Sequence, residues 1–185
     1  MENSSFFEYR DAIISSLNKH GVEYKLVGGA VVQLINKDRV TSDLDLLLGQ
    51  TKKNLEKVIN ALTDCGFASM EELRYQVFGD DENEEEVYTS FELIPSNLNW
   101  RFFHIDMCFD LGGFDIESLP MEYHYTEGGL SICSVPFRSI ANMKAKVYPE
   151  PREQDLKDIR TIADYLGLDP YTGETPVEGK WWKWW

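Results

Sequence analysis

Residues 25 to 48, KLVGGAVVQLINKDRVTSDLDLLL, place Asp43 and Asp45 one residue apart within an apolar run, a short way after Gly28 and Gly29. A strand alternates its faces with period two, so both carboxylates point the same way. Two like charges held side by side in a protein interior are costly unless a cation lies between them. Magnesium is the natural counter-ion. It takes oxygen ligands, commonly one or two carboxylates together with substrate phosphates. The glycines suit the phosphate side of such a site. Gly28 and Gly29 allow close backbone approach to a ligand, and a helix beginning at Ala30 would aim its amide groups outward at phosphate. Neither GxxxxGK[ST] nor GxGxxG is present, so the familiar P-loop and dinucleotide fingerprints do not apply.

The surrounding elements follow from periodicity. Residues 4 to 19 read as a helix stopped by Gly21, VEYKLVGG as a strand, AVVQLIN as a short helix and SDLDLLL as a second strand. Thr51 caps an amphipathic helix whose Leu55, Val58, Ile59 and Leu62 recur at helical spacing. This alternation is an α/β signature. The middle of the chain changes character: LRYQVFG, EVYTSFELI, WRFFHIDMCFD and LSICSVP are rich in aromatic and β-branched residues and predict strands. The acidic run DDENEEE predicts a solvated hairpin loop. From about Phe137 the chain turns helical. SIANMKAKV and REQDLKDIRTIADYLG predict two helices, the second with Leu156, Ile159, Ile162, Ala163 and Leu166 inward. The expected architecture is therefore α/β (α+β): a mixed twisted sheet with flanking helices and a helical C-terminal part. Residues 1–168 would form a single domain and 169–185 a turn-rich tail.

A strand ending in Gly-Gly, a helix, and Asp-x-Asp on the next strand resembles the signature of the polymerase-beta-type nucleotidyltransferase superfamily. RVTSDLDLLL is similar to the Arg-x-Thr-x-Asp-hydrophobic-Asp form of its small bacterial members. IANMKAKVYPEPREQDLKDI resembles the ending of abortive-infection, toxin-like nucleotidyltransferases, with Lys144 preceding Asp155 and Asp158. The resemblance spans roughly residues 20 to 166, with 13 residues between Gly29 and Asp43. It implies the nucleotidyltransferase fold and a third carboxylate on a later strand. Asp106, inside the apolar run FFHIDMCFD, fits that role better than Asp110 at the run's exit.

The implied activity is Mg2+-dependent transfer of a nucleoside monophosphate from a nucleoside triphosphate (NTP) to a hydroxyl, releasing pyrophosphate. Asp43, Asp45 and Asp106 would be catalytic and hold the metal. Gly28, Gly29, Arg39, Ser42 and Lys144 would bind the nucleotide, with Arg39 either on phosphate or paired to a carboxylate. The chain departs from the family where many members carry Gly-Ser, so one serine hydroxyl on the triphosphate is missing. The alternative is a non-catalytic regulator of the same fold that binds a protein partner, as in a toxin–antitoxin pair.

Charge narrows the acceptor. Eighteen basic residues against 32 acidic give a formal charge of −14, which opposes loose binding to nucleic acid. A small-molecule or protein acceptor is expected in preference to RNA. Three widely spaced cysteines, Cys65, Cys108 and Cys133, predict buried free thiols and no zinc site or disulfide scaffold. The start of the chain lacks a signal-peptide pattern and no stretch is long enough to span a membrane, so a cytoplasmic location is expected. His104 shares a face with Asp106, as a substrate contact or a structural histidine. Lys144 and Lys146 face differently, so at most one points inward. Asp155 and Asp158 share one helix face and either pair with Lys144 or Arg152 or meet substrate. The tail KWWKWW is expected to dock on the protein itself, on a second copy or on a protein partner.

Overall fold

Leu44, Leu46, Leu47 and Leu48 are fully buried, and the strand that carries them, β2 (Asp43–Leu48), lies inside a six-stranded sheet. The computed structural model describes residues 3–79, 90–111, 115–146 and 150–169, with side chains from residue 6 onward. The acidic run 80–86 and all of the tail beyond residue 169 lie outside the described residues.

The other strands are β1 (Tyr24–Leu26), β3 (Ser90–Leu93), β4 (His104–Cys108), β5 (Glu122–Tyr125) and β6 (Ser131–Ser134), in the order β3-β4-β2-β1-β6-β5. The sheet is mixed. β2 runs parallel to β4 and β1 parallel to β6, whereas the β1–β2, β3–β4 and β5–β6 pairs are antiparallel. Six helices accompany it among the described residues: α1 (Asn3–Lys19), α2 (Gly28–Val32), α3 (Lys52–Asp64), α4 (Met70–Phe78), α5 (Phe137–Ala145) and α6 (Glu153–Leu166). The α/β reading of the sequence therefore holds at the level of a mixed sheet with flanking helices and two helices near the C-terminal end.

Leu26, Leu44 and Leu46 enter the same apolar core as Ile13, Leu17, Leu55 and Leu62 from α1 and α3. On the opposite face of β1, buried Lys25 donates to the carbonyls of Ile116 and Leu119. Those bonds satisfy the ammonium and tie segment 115–119 across that face of the sheet. No described helix is long and apolar enough to cross a membrane.

Several boundaries differ from expectation for identifiable reasons. LRYQVFG is not a strand. It belongs to α4, where Ser69 accepts from the Glu72 amide and Glu72 accepts from the Ser69 amide, a capping box that nucleates the helix. Leu73, Val77 and Phe78 then fall on its buried face, and Gly79 closes it at positive φ. WRFFHIDMCFD is a strand only from His104, because Trp100 and Phe103 turn back to pack on Tyr9 of α1. Strand β5 was not expected. Its EYHY sequence sits at the sheet edge and is mostly exposed. Helix α2 begins at Gly28, two residues before Ala30. On α6, Leu156 and Leu166 are exposed, and the inward face carries Asp155, Asp158, Ile162 and Ala163. The three cysteines are free but half-buried, not fully enclosed.

Candidate functional site

Alternation along β2 sends Leu44 and Leu46 into the core and leaves Asp43 and Asp45 half-buried on the other face. Parallel pairing with β4 then sets His104 beside Asp43 and Asp106 beside Asp45. Antiparallel pairing with β3 adds Glu92 opposite Asp106. Three neighbouring strands thus gather Asp43, Asp45, Asp106 and Glu92 on one patch of the sheet. Asp110 lies beyond the end of β4 and is exposed, so Asp106 is the carboxylate brought alongside Asp45.

Gly28 and Gly29 are required here by neighbouring side chains. Gly28 has a φ of +64°, and a β-carbon added to it would lie 1.9 Å from Asp45 Oδ2. A β-carbon on Gly29 would lie 2.9 Å from Arg39 Nη2. The Gly29 backbone acts on the Asp45 carboxylate to lower it. Even so, Asp45 is pushed up to about 6, first by burial and then by the charges of Asp106 and Asp43. Asp106 is also raised, by burial, Asp43 and Glu92. Asp43 accepts a 2.7 Å hydrogen bond from Ser42 Oγ. His104 Nδ1 meets Glu92 Oε1 at 2.6 Å. Among the described residues, no three His, Cys, Asp or Glu side chains already converge as a ready-made metal cage.

Facing this acidic patch is a cationic wall built from Arg39 in the segment between α2 and β2, Lys144 of α5 and Arg152 at the N-cap of α6. Lys144 is buried, and its Nζ lies 2.9 Å from both Asp155 Oδ1 and Asp158 Oδ2. Arg39 grips Asp158 through Nε at 2.8 Å, and Arg152 grips Asp155 through Nε at 2.7 Å. Asp155 is held well below the usual carboxylate range, chiefly by the Arg152 hydrogen bond. Burial raises Asp158, but hydrogen bonds from Arg39, Lys144 and Gln154 outweigh it and the net shift is downward. Three cations against two anions leave one positive charge in excess, and Lys144 and Arg152 both feel the charge of Asp45. Lys146, by contrast, is exposed.

Between patch and wall lies a cleft of about 510 Å³ lined by Gly28, Gly29, Arg39, Ser42, Asp43, Asp45, Asp106, Lys144 and Arg152, with Phe6 and Phe103 on its apolar side. Every residue predicted to act on nucleotide or metal therefore lines one cleft.

The chain matches no family model and no curated protein.

The sequence reading did not single out Phe6, Phe103 or Arg152 as cleft-lining residues, and it did not consider Glu92. Arg152 had a local signal in its position three residues before Asp155, at the helix start. Phe6 and Phe103 had none, because aromatic residues in a helix and before a strand read simply as core.

Proposed function

We propose that the chain is a nucleotidyltransferase of the polymerase-beta type, transferring a nucleoside monophosphate from an NTP to a hydroxyl with Mg2+. The observation that carries this reading is the pairing of Asp45 with Asp106 on parallel strands, beside Asp43 and opposite a cationic wall. The proposed fold is the nucleotidyltransferase fold, supported by a Gly-Gly pair that opens α2 directly after β1 and by acids on β2 and β4.

Asp43, Asp45 and Asp106 are the hard oxygen donors that magnesium prefers, and their mutual repulsion, seen in the raised Asp45, is what a divalent cation would relieve. When bound, magnesium neutralises triphosphate charge and aligns the phosphates for displacement. Lys144, Arg39 and Arg152 offset the rest of that charge. Ser42 fixes the rotamer of Asp43 through its hydrogen bond. Gly28 and Gly29 keep β-carbons out of the space between the strand and the phosphates. Asp106 receives the proton as the acceptor oxygen bonds to the α-phosphorus; the bond from that phosphorus to the bridging oxygen breaks, and pyrophosphate carries away the electron pair. Catalysis of this kind is mostly positioning and charge stabilisation, and the cleft supplies both.

A charge of −14 favours a small-molecule or protein acceptor over RNA. The reading places the chain in the cytoplasm, where nucleoside triphosphates are made and used. A protein partner or second copy docking through the tail from residue 169 belongs to the same proposal.

The test is pyrophosphate release from each of the four NTPs with Mg2+ and cell extract fractions as acceptor source, with label traced into RNA, protein and small molecules. Release that disappears in Asp106→Ala while NTP affinity persists supports the assignment. NTP binding without release in any fraction would instead favour the non-catalytic regulator.

A further inference from the structure

Helix α2 opens at Gly28 and Gly29 in the cleft, and the chain leaving its other end, from Gln33 to Ile35, lines a separate cavity of about 580 Å³. The two share no described lining residue. Two buried polar side chains in this cavity are incompletely used. Gln33 is 1% exposed, and its Nε2 donates to the Arg39 carbonyl at 2.9 Å. A carbonyl can only accept, so that bond fixes which way the amide points. Gln33 Oε1 is then left without a hydrogen-bond partner among the described residues. A buried acceptor without a donor is costly.

The second side chain is Arg10 of α1, 5% exposed. It turns Nε and Nη2 to the same oxygen of Asp11, at 2.8 and 2.7 Å. The Nη1–Nη2 edge of its planar fork faces away from that carboxylate and suits two adjacent acceptors. Charge cancels around the cavity, Arg10 against Asp11 and Lys37 against Glu127, so an uncharged ligand fits best. Phe7, Tyr125 and Tyr165 add aromatic surface, and both tyrosines are exposed.

We propose that this cavity binds the base of a 6-oxopurine nucleoside, as a second site apart from the catalytic cleft. Such a base carries O6 and N7 side by side, the pair of acceptors a guanidinium fork takes. Its N1–H is the donor that Gln33 Oε1 lacks. Its flat face stacks on the tyrosines. Adenine offers an amino group where O6 would be and an unprotonated N1, so it opposes Arg10 and Gln33 together. The inference does not rest on the nucleotidyl-transfer reading, because none of the residues assigned to metal or phosphate lines this cavity.

The experiment titrates inosine, guanosine and adenosine into the full chain without Mg2+, read by calorimetry. Inosine and guanosine are expected to bind at least about tenfold more tightly than adenosine, the discrimination a matched bidentate pair supplies. Tyr125→Ala and Tyr165→Ala, at exposed positions, should each weaken inosine binding by about tenfold through loss of a stacking surface, with little change in unfolding temperature. Gln33→Met should weaken inosine but not adenosine. A folded Asp43→Asn, Asp45→Asn double variant should bind inosine as the wild type does, which separates this site from the catalytic cleft. The inference is overturned if neither 6-oxopurine binds, if adenosine binds as tightly as inosine, if both tyrosine variants bind inosine unchanged, or if the folded double variant loses it. Triphosphate binding in Mg2+ is a separate titration, so this inference and the nucleotidyl-transfer reading fail independently.

Discussion

Gly28 and Asp45 compete for one volume: a β-carbon on Gly28 would sit 1.9 Å from Asp45 Oδ2, 2.5 Å from its Cγ and 3.0 Å from its Cβ. The whole aspartate side chain, not merely its tip, stands where a methyl group would go.

Gly28→Ala therefore combines a left-handed backbone strain of about 1–2 kcal/mol with eviction of Asp45 from its place. We expect a loss of stability exceeding that strain and loss of Mg2+-dependent NTP binding. Gly29→Ala is milder, because its β-carbon meets the far end of Arg39 at 2.9 Å and that arm can shift. A cost of about 1–2 kcal/mol is expected there, at the low end of the usual overpacking range, since Arg39 must shift against its bond to Asp158. Denaturant unfolding of the two variants decides whether the ranking holds.

Asp45 carries a pH signature. Its folded value, about 6, lies above its ordinary value of 3.8, so the folded state holds this proton more tightly than the unfolded state. Stability of the magnesium-free protein should accordingly fall as pH rises from about 4 to 6, with the penalty fully present above that window. The size is on the order of 2–3 kcal/mol. Asp155 and Asp158, whose values are lowered, act in the opposite sense: their contribution is lost as pH falls below the ordinary carboxylate range. Asp45→Asn should raise stability at pH 7 and flatten the decline between pH 4 and 6. A variant no more stable than wild type at pH 7 would show that Asp45 is not strained.

Lys144 is expected to be needed for folding before it is needed for substrate. It bridges two carboxylates that are almost wholly buried, Asp155 and Asp158. Lys144→Met leaves them short of a cation and should cost about 3–5 kcal/mol, the usual penalty for breaking a buried pair. Lys146→Met, at an exposed position two residues on, should be close to neutral. Thermal unfolding of both variants provides the comparison.

Much of the site was legible because its logic is local. The period-two spacing of Asp43 and Asp45, and two glycines where side chains would obstruct, need no tertiary knowledge. The Thr51 cap was equally plain, and the Asn54 amide does donate to its hydroxyl. The helix α4 was misread because Tyr75, Val77 and Phe78 carry strand propensity, while the deciding signal was the Ser69–Glu72 capping box upstream. Strand β5 was illegible because an exposed edge strand shows no apolar alternation. The inward turn of Asp155 and Asp158 could not be fixed from α6 alone. It depends on Arg39, which is 119 positions away from Asp158, and on Lys144 from the preceding helix.

Everything proposed for this cleft depends on Asp43 and Asp45 holding a divalent cation together with a nucleoside triphosphate. The decisive measurement is calorimetric titration of ATP, GTP, CTP and UTP into the protein, with and without Mg2+. At least one triphosphate is expected to bind, to require Mg2+, and to lose its binding when Asp43→Asn and Asp45→Asn are combined in a variant that still folds. Failure of all four to bind at saturating Mg2+, or binding unchanged in the folded double variant, would contradict the proposed role of the two aspartates.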